Sequence, residues 1–265
     1  MMDLRTTAFD ELAAEYDKVF TATALGQAVR AIAWKRFQTA FAARERLLEI
    51  GCGTGEDAVH LALQGHRVLA IDASSQMLRV AALKAERAGC AHRVEFVCMP
   101  MDSLRSGLAG EKFDGIYSNF GAINCTQRID RIAADLALLV PPGAPLALVA
   151  MGRYVPWEWA WYLARGAARK AFRRLNRDGV EWRGIRVSYP SPRMLANALR
   201  PHFVTQRASA LGFALPPSYA AGWLEHSPRM LAALTRMEHA AQRWTALAAF
   251  ADHFYLQAMR VGFDE

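Results

Sequence analysis

Cysteine is scarce in this chain. There are four, Cys52, Cys90, Cys98 and Cys125, with no C-x-x-C pair and no histidine cluster at metal-ligand spacing. That excludes a thiolate zinc site and a disulfide scaffold, and fits buried thiols in a reducing compartment. No long apolar run survives intact. The longest, Leu136 to Met151, is cut by Pro141, Pro142, Gly143 and Pro145, so a membrane-spanning helix is not expected. Residues 1–16 alternate acidic and apolar side chains rather than following a basic segment with an apolar one, so no secretory leader is expected and the cytoplasm is the expected location. No Gly-Lys-Ser/Thr follows a glycine-rich turn, which excludes a phosphate-binding P-loop. Acidic residues are outnumbered 25 to 32, for a net charge of +7. The excess permits an anionic partner but requires none.

Repeats and low-complexity linkers are also missing, so residues 1–265 are read as a single elaborated domain. Residues 9–44 carry apolar side chains at helical spacing and predict two helices. The period then shortens. Strands are expected at 46–50, 67–71, 93–98, 113–118 and 146–151. Helices are expected between them at 57–64, 75–88 and around Ile129, Ile132, Ala133, Leu136 and Leu139. This alternation predicts a doubly wound, Rossmann-like α/β fold with its ligand crevice at the carboxyl ends of the strands. Beyond residue 151 a long helix from Trp157 to Leu175, a hairpin over 180–189, a helix over 192–199, a strand over 203–211, a helical cap over 216–250 and a last strand over 254–261 are expected.

The most informative stretch is Leu47-Leu48-Glu49-Ile50-Gly51-Cys52-Gly53-Thr54-Gly55-Glu56. A strand runs into three alternate glycines and then a helix, an arrangement that lets a ligand approach backbone N–H groups without a Cβ between. Asp72, 21 residues after Gly51, ends the second strand, where a carboxylate can accept both hydroxyls of a ribose. A dinucleotide fingerprint would place glycine or alanine where Glu56 stands, against a pyrophosphate it would repel. Glu49 suits a ligand bearing an amino group better than one bearing phosphates.

The run from Glu49 to Gly55 resembles the first motif of the class I S-adenosylmethionine (SAM) dependent methyltransferases. Ala70-Ile71-Asp72-Ala73-Ser74-Ser75-Gln76-Met77-Leu78 resembles their ribose and adenine motif, Met101-Asp102-Ser103-Leu104 the adenine-edge motif, and Phe113 to Asn119 the fourth-strand motif facing the methyl group. Phe9-Asp10 and Tyr16-Asp17 resemble the N-terminal helix that closes over the cofactor. The resemblance covers residues 9–151 and implies a seven-stranded sheet, with 1–45 as N-terminal helices, 46–151 as the SAM-binding core and 152–265 as acceptor-side insertions and last strands. It implies that SAM, and its product S-adenosylhomocysteine, contact Glu49, Gly51, Gly53, Gly55, Asp72, Ala73, Met77, Met101, Asp102, Ser103, Ser118 and Asn119. Asp72 and Asp102 are also fit for helix N-caps, and Tyr16 for simple packing.

A sulfonium methyl is already activated, so a base is needed only for acceptors that arrive protonated. The sequence names no such base; Asn119 and Tyr16 are the candidate catalytic residues, and no metal is expected. Ser118-Asn119-Phe120-Gly121 stands where an Asn-Pro-Pro-Phe/Tyr sequence would position a flipped base, which argues against a nucleic-acid acceptor. The aromatic insertion after the fifth strand points to a small, hydrophobic or aromatic acceptor held by Tyr154, Trp157 and Trp161. The following Arg165, Arg169, Lys170, Arg173 and Arg174 are read as a solvated face, with peripheral contact to an anionic membrane as the other use of such a run. An RNA or protein methyltransferase and a non-catalytic SAM binder are the remaining alternatives. The sequence leaves the oligomeric state and the acceptor atom open.

Overall fold

A computed structural model describes residues 8–262 of the chain. The short helix Ala13–Tyr16 (α1) runs through a π-helical turn at Asp17–Thr21 into Ala24–Phe41 (α2). The start of α2 is capped by Thr23, whose hydroxyl accepts from the Gly26 N–H at 3.0 Å. The strands that follow are Arg46–Ile50 (β1), Arg67–Asp72 (β2), Val94–Cys98 (β3), Gly115–Ser118 (β4) and Pro145–Met151 (β5). Helices Glu56–Leu63 (α3), Ser75–Arg87 (α4), Leu104–Gly107 (α5) and Ile129–Leu139 (α6) lie between them.

Beyond β5 come Pro156–Leu163 (α7), Ala168–Ala171 (α8), a two-stranded ribbon Val180–Trp182 (β6) and Ile185–Val187 (β7), and Pro192–Leu199 (α9). Phe203–Leu211 (β8), Pro228–Ala241 (α10) and His253–Arg260 (β9) complete the chain. The main sheet has seven strands in the order β3-β2-β1-β4-β5-β9-β8. Strands β1 to β5 pair in parallel, and β9 runs antiparallel to both β5 and β8. The order reverses between β1 and β4, so the crevice opens where these two strands end.

Alternation along the strands covers both faces. In β5, Leu146, Leu148 and Ala150 pack with Ile132 and Leu136 of α6 and Leu195 of α9. Ala147 and Val149 pack with Phe37 and Phe41 of α2. Phe41 lies so close to β4 that a Cβ at Gly115 would come within 2.7 Å of its ring.

Two expectations change beyond β5. The helix expected from Trp157 to Leu175 is broken at Gly166, whose φ of +68° is left-handed, into α7, α8 and a 3₁₀ turn at Arg173–Leu175. The segment 216–250 is a chain of 3₁₀ turns, at Ser218–Ala220, Gly222–His226 and Thr245–Phe250, around α10, which Pro228 opens at its first turn. Among the described residues, no helix is long and apolar enough to cross a membrane, and no group of His, Cys, Asp or Glu could hold a metal ion.

Glu238 of α10 is fully buried and accepts from the N–H groups of Gly212, Ala214 and Leu215 at 2.9, 2.7 and 3.2 Å. One carboxylate thus satisfies the turn that leaves β8. Glu238→Ala should cost about 2–3 kcal/mol, the penalty for stranding buried donors, measured as a fall in the urea midpoint at unchanged slope.

Candidate active site

The three glycines after β1 all have positive φ, but they serve different ends. A Cβ on Gly55 would sit 2.6 Å from that of Ala81, so this glycine lets α3 pack on α4. A Cβ on Gly53 would meet nothing within 4 Å, and the residue lines an open cleft of about 530 Å³. That space is where a ligand can approach the backbone. Beside it the two oxygens of Asp72 accept from Gly53 N–H at 2.8 Å and Ser74 N–H at 2.9 Å. A carboxylate at the cleft edge can accept further donors, which fits the hydroxyls of a ribose. Burial pushes the Asp72 carboxyl above its ordinary range, against these backbone hydrogen bonds.

Gly51, Gly53, Asp72, Ala73, Met77, Met101, Asn119 and Tyr16 all line this cleft. Glu49, Gly55, Asp102, Ser103 and Ser118 do not. Glu49 is 1% exposed and accepts from the Tyr117 hydroxyl at 3.0 Å. Burial first, then the nearby Asp57, hold its carboxyl well above the usual range. It therefore braces the strands from inside rather than facing an amino group. Ser118 is equally buried, its hydroxyl spent on the Ile50 carbonyl at 2.8 Å.

The floor of the cleft was not legible in the sequence. Asp57, in the first turn of α3, is buried and receives Arg30 at 2.6 Å, Trp34 at 2.6 Å and the Asn119 amide at 3.0 Å. Burial alone would lower the Arg30 pKa, but Asp57 beside it leaves the guanidinium pKa raised. The Arg30 guanidinium also lies 4.6 Å from the centroid of the Phe120 ring. The signal was an acidic residue one turn into a helix otherwise apolar on that face.

The N-terminal segment is tied to both loops of the cleft. Asp10 accepts from the Ser74 hydroxyl and, at 3.2 Å, from Gln76 N–H. Asp17 accepts from the Thr54 hydroxyl at 2.6 Å and pairs with Lys84 at 2.8 Å. Burial pushes Asp17 up, but the hydrogen bonds from Lys84 and Thr54 outweigh it and hold the carboxyl below its ordinary value. Tyr16 lies among these groups with its hydroxyl pushed up, first by burial.

The opposite wall differs from expectation. Tyr154, Trp157 and Trp161 do not line the cleft. The Trp157 indole N–H is spent on the Phe213 carbonyl at 3.1 Å, and Trp161 stacks under Arg165. The break at Gly166 turns the segment and presents Tyr162 and Arg173 instead, joined by Trp182, Tyr189 and Tyr219. The expected solvated basic face is correspondingly shorter, since Arg173 and Arg174 both turn inward onto Glu158 of α7 at 2.9 and 2.8 Å. Asn124 secures this wall. Its amide donates to the carbonyls of Met151 and Ser188 and accepts from Met151 N–H at 2.8 Å.

Glu49 yields a pH test. Its raised pKa means that the folded protein holds the proton more tightly than the unfolded chain. The wild type should therefore lose stability as pH rises above about 4.3, the ordinary glutamate value, until the raised value is reached. Glu49→Gln keeps an acceptor for Tyr117 without ionising. Urea titrations from pH 4 to 8 should show the variant gaining on the wild type as pH rises; parallel curves would refute the assignment.

Residues 47–143 match the model of a methyltransferase domain family. The chain is similar to demethylmenaquinone methyltransferase of Thermobifida fusca (strain YX), 32% identical over 143 residues, 53% of this chain and 58% of that protein. It is 31% identical over 99 residues to the tRNA 5-carboxymethoxyuridine methyltransferase of Escherichia coli (strain K12), 36% of this chain and 38% of that one. The chain thus spans less than two thirds of the length of either relative. Its fold matches the crystal structure of Burkholderia thailandensis 1,6-didemethyltoxoflavin-N1-methyltransferase with bound 1,6-didemethyltoxoflavin and S-adenosylhomocysteine. The TM-score is 0.59 at 19% identity, covering 98% of this chain and 88% of that one. The matched methyltransferase domain, residues 47–143, thus holds β1 to β4 of the seven-stranded sheet and the glycine loop that opens beside Asp72.

Proposed function

We propose that this chain transfers a methyl group from SAM to a small, largely apolar acceptor held between the glycine loop and the ring-lined wall. The observation that carries the reading is the single cleft in which Gly53 leaves open backbone beside the Asp72 carboxylate while Tyr162, Trp182, Tyr189 and Tyr219 line the other side. SAM, when bound, supplies a methyl already activated on its sulfonium sulfur. Asp72 would hold the ribose hydroxyls, with Ala73, Met77 and Met101 flanking the base. Arg30 and Asp57, paired on the cleft floor, would bound the space for the methionine end. Asp10 and Asp17 fasten the N-terminal segment to both loops and so exclude water.

The residues present favour positioning over proton transfer. The hydroxyls of Tyr16, Tyr189 and Tyr219 are all pushed up, first by burial, so none offers a phenolate base near neutral pH. An amine-type or enol-type acceptor needs none, and orientation alone can contribute about 7–11 kcal/mol. The demethylmenaquinone in the name of the T. fusca relative supports this reading, and the tRNA in the name of the E. coli relative is its rival.

Calorimetry should show SAM and S-adenosylhomocysteine binding with no competition from NAD. Asp72→Ala should weaken that binding by about 1.5–3 kcal/mol, as for hydrogen bonds to a charged group. Gly53→Val should do at least as much damage, because its Cβ would enter the ligand's space. Unchanged affinity in both folded variants would refute the site. A second prediction concerns the acceptor wall. Tyr189→Ala should lower methyl transfer to small aromatic acceptors, read with labelled SAM, while leaving SAM affinity nearly unchanged. Transfer to bulk tRNA in preference to such acceptors would favour the rival.

A further inference from the structure

The cleft is electrically divided. Its lining acids, Glu56, Asp57 and Asp72, all belong to the cofactor side. Its lining cations are Arg30, which is spent on Asp57, and Arg173, which stands on the ring-lined side with no lining carboxylate around it. Arg173 is held there by a buried network. Glu158, fully buried, takes Arg173 Nε on Oε1 at 2.9 Å, while its Oε2 takes Arg174 Nε at 2.8 Å and the Tyr219 hydroxyl at 2.7 Å. Arg174 also pairs with Asp252 at 2.7 Å, and Asp252 in turn contacts His253 at 3.0 Å.

The four charges of this network balance, but they are not evenly placed. The side chains of Glu158, Arg174 and Asp252 are 0, 6 and 13% exposed, whereas that of Arg173 is 33% exposed. The positive end therefore faces the cleft. Glu158 occupies the Nε and Nη2 edge of the Arg173 fork, leaving Nη1 with no hydrogen-bond partner among the described residues. The rings of Tyr162 and Tyr219, 5.5 Å apart, lie together on one side of the same guanidinium, 5.6 and 6.0 Å from its central carbon. A pre-positioned guanidinium with a free nitrogen in a ring-lined pocket is a receptor for a carboxylate attached to an apolar body. A purely apolar acceptor would be served better by an apolar side chain there, because a charge turned toward it costs desolvation without return.

We propose that the methyl acceptor is an apolar, ring-containing carboxylic acid whose carboxylate is received by Arg173, an inference that rests on the acceptor-side reading of the cleft given above. Arg173 acts as an anchor that sets specificity. The methylated atom lies elsewhere on the acceptor, toward the glycine loop.

The test uses the whole chain saturated with S-adenosylhomocysteine and two probes, 2-naphthoate and its methyl ester, titrated by calorimetry. The acid should bind about tenfold tighter than the ester, the value of one charge-assisted hydrogen bond. Arg173→Gln should bring the acid down to the level of the ester and leave the affinities for ester and S-adenosylhomocysteine unchanged. Arg173→Lys, which keeps the charge, should restore part of the preference and stands in if the Gln variant fails to fold. Trp182→Ala should weaken both probes alike. An acid no tighter than the ester, an acid preference that survives Arg173→Gln, or binding of neither probe would overturn the proposal. Probes that bind but ignore Trp182→Ala would overturn the acceptor wall as well, while loss of S-adenosylhomocysteine binding in the wild type would instead strike the cofactor reading.

Discussion

The buried carboxylate of Asp57 is the interaction on which the cofactor side of this molecule depends. It gathers Arg30 and Trp34 from α2 and Asn119 from the end of β4 onto the first turn of α3. Three chain segments that are distant in sequence are thereby fixed around one loop. Removing a partner from such a pair leaves an uncompensated charge in the interior, at a cost of about 3–5 kcal/mol. The arrangement holds because each partner answers another's need: Asp57 satisfies three donors, and Arg30 gains an anion together with the Phe120 ring. The loop between β1 and α3 is then free to keep Gly53 bare.

Glu158 plays the corresponding part on the acceptor side. In a continuous helix, Arg173 would stand about 22 Å further along the axis than Glu158. The left-handed turn at Gly166 folds the segment back on itself and brings the two to 2.9 Å. One backbone conformation thus decides which rings and which cation reach the cleft. Asp252 reinforces this closure. Burial raises its pKa, but Arg174 and His253 together hold it far below the usual carboxylate range. Its contribution to stability is therefore present above the ordinary aspartate value and is lost as the pH falls below it.

Much of the fold was legible because local and long-range signals agree there. The strands around Leu47 to Ile50 and Leu146 to Met151 are buried on both faces and, Glu49 apart, apolar, as a covered parallel sheet requires, and the glycines and prolines mark their ends. Gly53 and Asp72 meet at the cleft, as their spacing after β1 and β2 implies. Glu49 and Ser118 were drawn toward the ligand by that same pattern, yet each is turned inward, a choice made by which face of the strand it occupies. The acceptor wall was not legible. Trp157 and Trp161 looked like pocket residues because they are aromatic and lie just past β5, but a helix start says nothing about which side will face the crevice. Arg173 was hidden for a further reason, since a run of arginines reads as solvated unless its buried partners are known.

In the function proposed here, one cleft presents the glycine loop to a cofactor and the Arg173 wall to its acceptor. A crystal structure of the chain with S-adenosylhomocysteine tests it most directly. The account predicts the ribose hydroxyls on Asp72, the adenine beside Met77 and Met101, and the sulfur facing the space bounded by Tyr189 and Trp182. An adenosine bound away from Asp72, or a ligand that fills the ring-lined side and leaves the glycine loop bare, would contradict it.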